Sequence, residues 1–209
     1  MAKIILYIAC TLDGFIARED GSLDWLDTMD NPDQSDHGYQ AFYHTIDTVI
    51  MGRITYETVV GFGVDWPYQD CLSYVATTRV GYHTHLDGIR VITQLDNKAV
   101  DQLRAESSKN IWLIGGGKLI TEFLNLQAVD EMILTLVPVV LGKGIRLFSG
   151  APQEAYFKLH QTQSFLSGAV NLHYIKKYIL NRRSPKEPWW LLLCLDLAFH
   201  RKIGSKNRI

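Results

Sequence analysis

Cysteine is scarce in this chain, and the few cysteines that occur are far apart. The 209 residues include three, at Cys10, Cys71 and Cys194. An odd number at such wide spacing excludes a disulfide framework and offers no pattern of metal ligands. His83 and His85 fall on one loop, but surface histidines explain that pair better than a metal centre does. The sequence therefore predicts no metal site and a reducing, cytoplasmic location.

An excess of charge of one sign and long hydrophobic runs are also lacking. The formal net charge is −1, so no overall field attracts nucleic acid. The apolar run that begins after Lys3 is cut by Asp13, and the run at residues 189–199 is interrupted by Asp196. Both are too short to cross a bilayer. We therefore expect no nucleic-acid partner and no membrane span.

The most informative stretch is a glycine triplet between two apolar segments. Residues 111–114 are four apolar residues typical of a buried strand, and Gly115, Gly116 and Gly117 follow at once. The next residues, Lys118, Leu119 and Ile120, open a segment with helical spacing. Backbone amides at such a helix start favour an anionic group, most simply a phosphate. The alternative is a tight strand-to-helix turn that binds no ligand.

A second helix start has the same character. The apolar residues 48–51 predict a strand, and Gly52, Arg53 and Thr55 follow it. A glycine at the turn and a threonine in the first helical turn suit a phosphate, and a guanidinium can pair with phosphate through two hydrogen bonds. A surface salt bridge is the alternative role for Arg53.

These motifs, taken in order along the chain, resemble the dihydrofolate reductase-like superfamily. The similarity is greatest to the reductase domain at the C-terminus of the bifunctional riboflavin deaminase-reductase and to its stand-alone bacterial relatives. The shared segments are Asp-Gly-x-Ile-Ala at residues 13–17, Asp-Gly-x-Leu with Trp at 20–25, Met-Gly-Arg-x-Thr-Tyr-Glu at 51–57, the glycine triplet, Asp-Glu at 130–131, Pro138, Gly-x-Gly at 142–144 and Leu-Phe at 147–148.

The resemblance implies a fold and a coenzyme. The expected fold is an α/β three-layer sandwich around a mixed sheet, with a parallel core and an antiparallel C-terminal hairpin. The coenzyme pyrophosphate would lie on the glycine triplet, bordered by Ile114 and by the helix start at residues 118–120. Ala9 and Ile16 would touch the nicotinamide. A homodimer is expected from the resemblance alone.

The end of the third predicted strand indicates which nicotinamide coenzyme is used. Residues 72–76 form that strand, and Thr77, Thr78 and Arg79 follow it without an acidic residue. An acid at this place would bind the free ribose hydroxyl of NADH, whereas hydroxyls and an arginine accommodate the extra phosphate of NADPH. NADPH is the predicted coenzyme.

The substrate side gives weaker signals. Tyr43, on a short predicted helix, and Trp66, on an aromatic loop, are candidate substrate-binding residues, although a place in the core is an alternative for that helix. Asp13 and Asp36 are candidates for orienting substrate or passing the proton, although the acids of residues 24–36 also suit a solvated loop. The riboflavin enzyme usually has Lys and Glu where this chain has Tyr7 and Ile114.

The sequence thus predicts an NADPH-dependent reductase of a pteridine- or pyrimidine-like heterocycle or its ribosyl derivative. The nearest assignable activity is 5-amino-6-(5-phosphoribosylamino)uracil reduction, in riboflavin biosynthesis. Dihydrofolate reduction is one alternative, and a protein that binds NADPH without turnover is another.

The C-terminal residues do not match the family. From Lys176 onward there are nine Lys or Arg against two Asp or Glu. We expect a reductase-like domain at residues 1–178 and a basic extension of unknown role at residues 179–209. The extension could lie on a membrane surface or on a partner subunit, or it could be a loosely docked helix or a disordered segment.

Overall fold

Ten strands and four helices form the part of the chain that the computed structural model describes, residues 1–178. The predicted extension at residues 179–209 lies outside the described residues. The strands are β1 Ile4–Thr11, β2 Phe15–Ala17, β3 Ile46–Gly52, β4 Leu72–Ala76, β5 Arg90–Ile92, β6 Asn110–Gly115, β7 Glu131–Val137, β8 Ile145–Arg146, β9 Phe157–Ser164 and β10 Val170–Lys176. The helices are α1 Tyr39–Tyr43, α2 Arg53–Gly61, α3 Asn97–Glu106 and α4 Gly117–Asn125.

Eight of the strands form one mixed sheet in the order β5-β4-β3-β6-β1-β7-β10-β9. The six strands from β5 to β7 are parallel to one another. The last two, β10 and β9, run antiparallel and close the sheet as a hairpin. This arrangement confirms the predicted mixed sheet with a parallel core.

Side-chain alternation along β1 divides the core into two layers. Ile4 and Leu6 pack on one face of the sheet with the buried residues of α3 and α4. Ile5 and Tyr7 pack on the other face with Phe42 of α1 and Tyr56 of α2. A strand that is buried on both faces needs apolar residues at successive positions, and β1 has them. Helices on both faces make the predicted three-layer sandwich.

A small two-stranded sheet crosses beside β1 and was not predicted. Phe15 of β2 pairs antiparallel with Arg146 of β8. The two strands have three and two residues, which is too short for any periodicity to be read from the sequence.

Residues 1–178 contain neither a candidate membrane span nor a candidate metal cluster. No helix there is long and apolar enough to cross a bilayer. No group of three or more histidine, cysteine, aspartate or glutamate side chains there is arranged to hold a metal ion.

Glu131, the first residue of β7, forms an ion cluster with Lys3 and His173. This cluster should make the stability of the protein depend on pH. The Glu131 carboxylate accepts hydrogen bonds from Lys3 Nζ at 2.6 Å and from His173 Nε2 at 2.7 Å. Burial raises the pKa of Glu131, but the contacts with Lys3 and His173 outweigh it and leave the pKa below its ordinary value. A carboxyl whose pKa is lowered on folding stabilises the protein above its unfolded pKa and loses that contribution as the pH falls.

We therefore expect Glu131→Gln to lower the free energy of unfolding at pH 7 by about 1–3 kcal/mol, because two partners lose their acceptor charge. The variant should also lose less stability than the wild type between about pH 5 and pH 3, because Gln cannot be protonated there. Urea unfolding across that range measures both effects. Asp101→Asn, an exposed change on α3, is the control. Equal pH dependence in the wild type and Glu131→Gln would contradict the assignment.

Candidate functional site

A cleft of about 1200 Å³ opens along the carboxyl ends of the parallel strands. Its walls come from the ends of β3, β4, β5, β6 and β7, from the middle of β1, and from the loop that follows β2. Ligands of open α/β sheets bind at this edge, because the helices that follow the strands begin there. The cleft is therefore the candidate site.

Two helix N-termini meet in this cleft. Helix α2 begins after Gly52 and helix α4 after Gly116, and neither N-cap residue makes a side-chain hydrogen bond to its helix. A Cβ atom at Gly52 would lie 3.8 Å from the Gly116 nitrogen, and one at Gly116 would lie 3.5 Å from Thr55 Oγ1. The first backbone amides of the two helices therefore lie beside each other, and no side chain caps either set. Such a pair of helix starts is suited to bind a group with more than one phosphate.

The glycine triplet allows other parts of the backbone to lie close to the start of α4. Gly115 ends β6 with φ +131°, a conformation that L side chains rarely adopt, and its peptide bond to Gly116 is cis. At Gly117 a Cβ would lie 2.2 Å from the Arg146 carbonyl oxygen and 2.6 Å from Ser149 Oγ. The chain at residues 146–149 therefore lies directly on the glycine, and no larger residue fits without movement of that backbone.

Most of the residues predicted to bind the coenzyme line the cleft. They come from five separate segments of the sequence. They are Ala9, Ile16, Gly52, Arg53, Thr55, Thr77, Thr78, Ile114, Gly115, Gly116, Gly117, Lys118 and Leu119. The fold brings these segments to one place, and their role with the coenzyme stays a prediction.

Two of the predicted coenzyme residues do not line the cleft. Ile120 is fully buried and packs in the core layer of α3 and α4. Arg79 is exposed, and its backbone N–H donates to Thr77 Oγ1 at 3.1 Å. Thr77 and Thr78 are therefore the members of that motif on the cleft wall.

Arg53 makes the salt bridge that was considered for it and also lies on the cleft wall, and its role with a phosphate stays a prediction. The Arg53 Nη1 donates to the Glu57 carboxylate at 2.5 Å, one helical turn along α2. The Arg53 side chain has a relative exposure of 26%. A guanidinium has five N–H groups, so this ion pair leaves donors available for a phosphate.

The two acids predicted for catalysis lie outside the cleft wall and bind backbone instead. Asp13 accepts from Thr11 Oγ1 and from the Leu141 and Gly142 amides, contacts that lower the pKa of its carboxyl. Asp36 accepts from the Gln40 and Gly38 amides at the start of α1, which lowers its pKa as well. Both carboxylates have local structural roles, and their catalytic role stays a prediction that this placement does not favour.

Tyr43 and Trp66 also lie away from the cleft wall. Tyr43 accepts a hydrogen bond from Cys71 Sγ at 3.6 Å, and burial raises the pKa of its phenol. Trp66 donates from Nε1 to Ser73 Oγ at 3.2 Å. Both pack against the core layer that contains Phe42 of α1 and Tyr56 of α2, and neither lines the cleft.

The sequence interpretation assigned no binding role to several aromatic residues that line the cleft, although Tyr7 was noted as a substrate-side difference from the riboflavin enzyme. Tyr7 Oη donates to the His37 carbonyl at 3.0 Å, and Trp112 Nε1 donates to the Tyr7 carbonyl at 2.9 Å. Trp25 lines the same wall with a relative exposure of 1%. Trp25 stood within a family motif, whereas His37 and Trp112 gave no local signal because long-range contacts place them.

The sequence of this chain is similar to a known protein family and to two bacterial proteins. The model of the RibD C-terminal domain matches residues 2–171. The uncharacterized protein YwjB of Bacillus subtilis strain 168 is 42% identical over 174 residues, which cover 83% of this chain and 98% of YwjB. The uncharacterized protein YyaP of the same strain is 35% identical over 184 residues, covering 82% of this chain and 94% of YyaP.

The fold of this chain is also similar to that of solved structures. A Shewanella sp. PV-4 protein named as a riboflavin biosynthesis protein superposes with a TM-score of 0.76 at 31% identity, over 85% of this chain and 100% of that one. Acinetobacter baumannii RibD superposes with a TM-score of 0.62 at 17% identity, over 85% of this chain and 58% of its own, which supports the fold alone. This chain belongs to the family of RibD C-terminal domains and has the dihydrofolate reductase-like fold that the resemblance predicted.

Proposed function

We propose that this protein is an NADPH-dependent reductase of a pyrimidine- or pteridine-like heterocycle. The observation that carries the proposal is the pair of abutting helix N-termini at Gly52 and Gly116, open to the cleft and without side-chain caps. Two such termini fit the two phosphates of a dinucleotide, with Arg53 beside them. The hydride for the reduction comes from the bound nicotinamide.

Other residues fit the remaining parts of NADPH. Thr77 and Thr78 lie at the end of β4, where they suit the extra phosphate on the adenosine ribose. Ala9 and Ile16 suit contact with the nicotinamide face, since both are small or apolar and line the cleft.

The family supports a substrate class. A Thermotoga maritima protein of the same fold is named as a deaminase and 5-amino-6-(5-phosphoribosylamino)uracil reductase, and it shares 16% identity with this chain. We propose a chemically related ring as the substrate here, and a cytoplasmic homodimer as the working form. The phosphorylated uracil derivative is the first substrate to assay.

Coenzyme preference tests the proposal. We expect NADPH to bind at least about tenfold more tightly than NADH, because the extra phosphate meets hydroxyl donors and no carboxylate at the end of β4. Fluorescence titration of both coenzymes measures the difference. Thr78→Val should reduce the preference and leave the NADH affinity unchanged, because the lost hydroxyl is proposed to bind only the extra phosphate.

The Arg79→Ala variant distinguishes the contribution of Arg79 to NADPH binding from that of Thr77 and Thr78. Arg79 is exposed outside the cleft wall, so a large loss of NADPH affinity in this variant would mean that the arginine reaches the phosphate once the coenzyme is bound. Failure of the wild type to bind either coenzyme would contradict the proposal. Binding of NADPH without oxidation by any heterocycle would favour a non-catalytic binding protein.

A further inference from the structure

We propose that Glu57 tunes the coenzyme preference of this protein, because its carboxylate competes with the extra phosphate of NADPH for the guanidinium of Arg53. Glu57 is thereby a specificity-determining residue, and it keeps the preference for NADPH over NADH smaller than the cations alone would make it. The inference rests on the proposed function and adds an internal counter-ion to it. It requires no contact between Glu57 and the coenzyme.

Arg53 begins beside the place proposed for that phosphate. Strands β3 and β4 are parallel neighbours, and Gly52 at the end of β3 is in register with Ala76 at the end of β4. Arg53 and Thr77 are the next residues of these two segments, so they leave the sheet side by side, and both line the cleft. An arginine at this position has the paired N–H donors to bind a phosphate that the Thr77 and Thr78 hydroxyls also contact.

Glu57 already binds this guanidinium. Arg53 Nη1 donates to Glu57 Oε2 at 2.5 Å, and the two side chains have relative exposures of 26% and 34%. Glu57 lies one turn further along α2 and does not line the cleft, whereas Arg53 does. The ion pair therefore ties the guanidinium to a carboxylate outside the cleft wall. A partly exposed ion pair contributes little net free energy, so an incoming anion can compete with it.

The charge of Glu57 also acts on the loop that follows β4. The hydrogen bond from Arg53 lowers the pKa of Glu57, and the positive charge of Arg79 lowers it further. Burial and the negative charge of Glu57 raise the pKa of the Tyr82 phenol. Glu57 therefore lies close to groups of the loop that begins with the two threonines. One carboxylate faces two guanidinium groups there, so it offsets half of the positive charge available to a phosphate.

Contacts with α2 hold that loop beside the ion pair. The Tyr56 hydroxyl accepts hydrogen bonds from the His85 N–H at 2.9 Å and from the Leu86 N–H at 3.1 Å. Tyr56 is fully buried, and its ring stacks on that of His85 with the centroids 6.4 Å apart. The segment at residues 77–86 is thus fastened to the helix that carries Glu57.

Removing the carboxylate should therefore favour the phosphorylated coenzyme. A phosphate has to displace Glu57 from Arg53, or share the guanidinium with it, before it gains the full benefit of the cation. NADH has no phosphate on its adenosine ribose and gains nothing at this place, so the difference between the two affinities changes. If Glu57 instead oriented Arg53 toward the phosphate, its removal would change the preference in the opposite direction.

Glu57→Gln tests the proposal, because it keeps the size of the side chain and removes its charge. The ratio of the NADH to the NADPH dissociation constant, measured by fluorescence titration, should rise at least about threefold. Glu57→Ala should raise the ratio as well, which separates the loss of charge from any effect of the new amide and provides a second variant if the first does not fold. An unchanged or lower ratio in the folded variants overturns the proposal.

Asp101→Asn is the matched control, because it removes an equal charge from an exposed position on α3. Its ratio should stay within about twofold of the wild-type ratio, since distant exposed charges are screened. A rise as large as that in Glu57→Gln would mean that net charge alone sets the preference, and it would overturn the role of Glu57.

Salt dependence is a second readout, which a merely structural role of Glu57 would not move. Salt screens the attraction between the phosphate and the cations, and the cations have no counter-ion in Glu57→Gln. The NADPH affinity of this variant should therefore fall more steeply with added KCl than the wild-type affinity does, and equal slopes would contradict the proposal. Failure of the wild type to bind either coenzyme contradicts the proposed function, whereas an unchanged ratio in a variant that binds NADPH contradicts only this inference.

Discussion

Gly52→Asp is expected to make the protein more stable and to abolish most of its NADPH affinity. An aspartate at this N-cap would accept hydrogen bonds from the free amides at the start of α2 and add about 0.5 kcal/mol to the free energy of unfolding. The Gly52 backbone has φ −73° and ψ 155°, which a capping aspartate adopts without strain. The closest atoms to its Cβ would be those of the Gly115–Gly116 peptide at 3.8 Å.

The same carboxylate would stand where the coenzyme phosphates are proposed to bind. Two like charges about 5 Å apart at an effective dielectric constant near 20 repel by about 3 kcal/mol, so the NADPH dissociation constant should rise about 100-fold or more. Thermal unfolding and fluorescence titration measure the two effects on one preparation.

Gly52→Asn is the control, because it caps the helix with nearly the same shape and no charge. We expect it to bind NADPH much more tightly than Gly52→Asp does. If both variants bound NADPH as the wild type does, the two helix N-termini would be a structural junction and the coenzyme would have to bind elsewhere.

Gly117→Ala is expected to have the largest effect on stability of any single methyl group added to the glycine triplet. The new Cβ would lie 2.2 Å from the Arg146 carbonyl oxygen, and 3.2 Å from that of Leu147. Arg146 pairs with Phe15, and the Leu147 amide donates to the Gly14 carbonyl at 2.9 Å, so the β2–β8 pair must move with them. Backbone displacement of this kind costs about 3 kcal/mol or more.

The melting temperature should therefore fall by about 10 °C, and NADPH affinity should fall at least tenfold because the start of α4 moves. Circular dichroism during heating and coenzyme titration below the transition measure these effects. Gly61→Ala is the control, since a Cβ at that residue meets no atom within 4 Å. An unchanged melting temperature in Gly117→Ala would mean that the segment at residues 146–149 packs more loosely than described here.

The main elements of the fold could be predicted because their signals are local. The apolar segment at residues 72–76 coincides with β4, and the helix predicted after the glycine triplet is α4. The β2–β8 pair could not be predicted, because strands of three and two residues are defined by their partner and not by their own pattern.

Asp13, one of the acids predicted for catalysis, also shows that a local sequence signal cannot reveal long-range contacts. A carboxylate in a loop beside a predicted site is a reasonable candidate for catalysis. Asp13, however, binds the amides of Leu141 and Gly142, which are distant in sequence, and so holds two loops together. Nothing near Asp13 in the sequence indicates that partner.

The sequence by itself determined the strand–glycine–helix units and the hydroxyl pair at the end of β4, because short-range periodicity and turn chemistry encode them, whereas the parallel core was implied by the resemblance to a family. Only the tertiary structure decided that β3 and β6 are neighbours, which places Gly52 and Gly116 side by side. It also decided that Trp25 and His37 share a wall with Trp112. The physical reason is that such contacts form between residues far apart in the chain, where packing and hydrogen bonding of the whole fold select the partners.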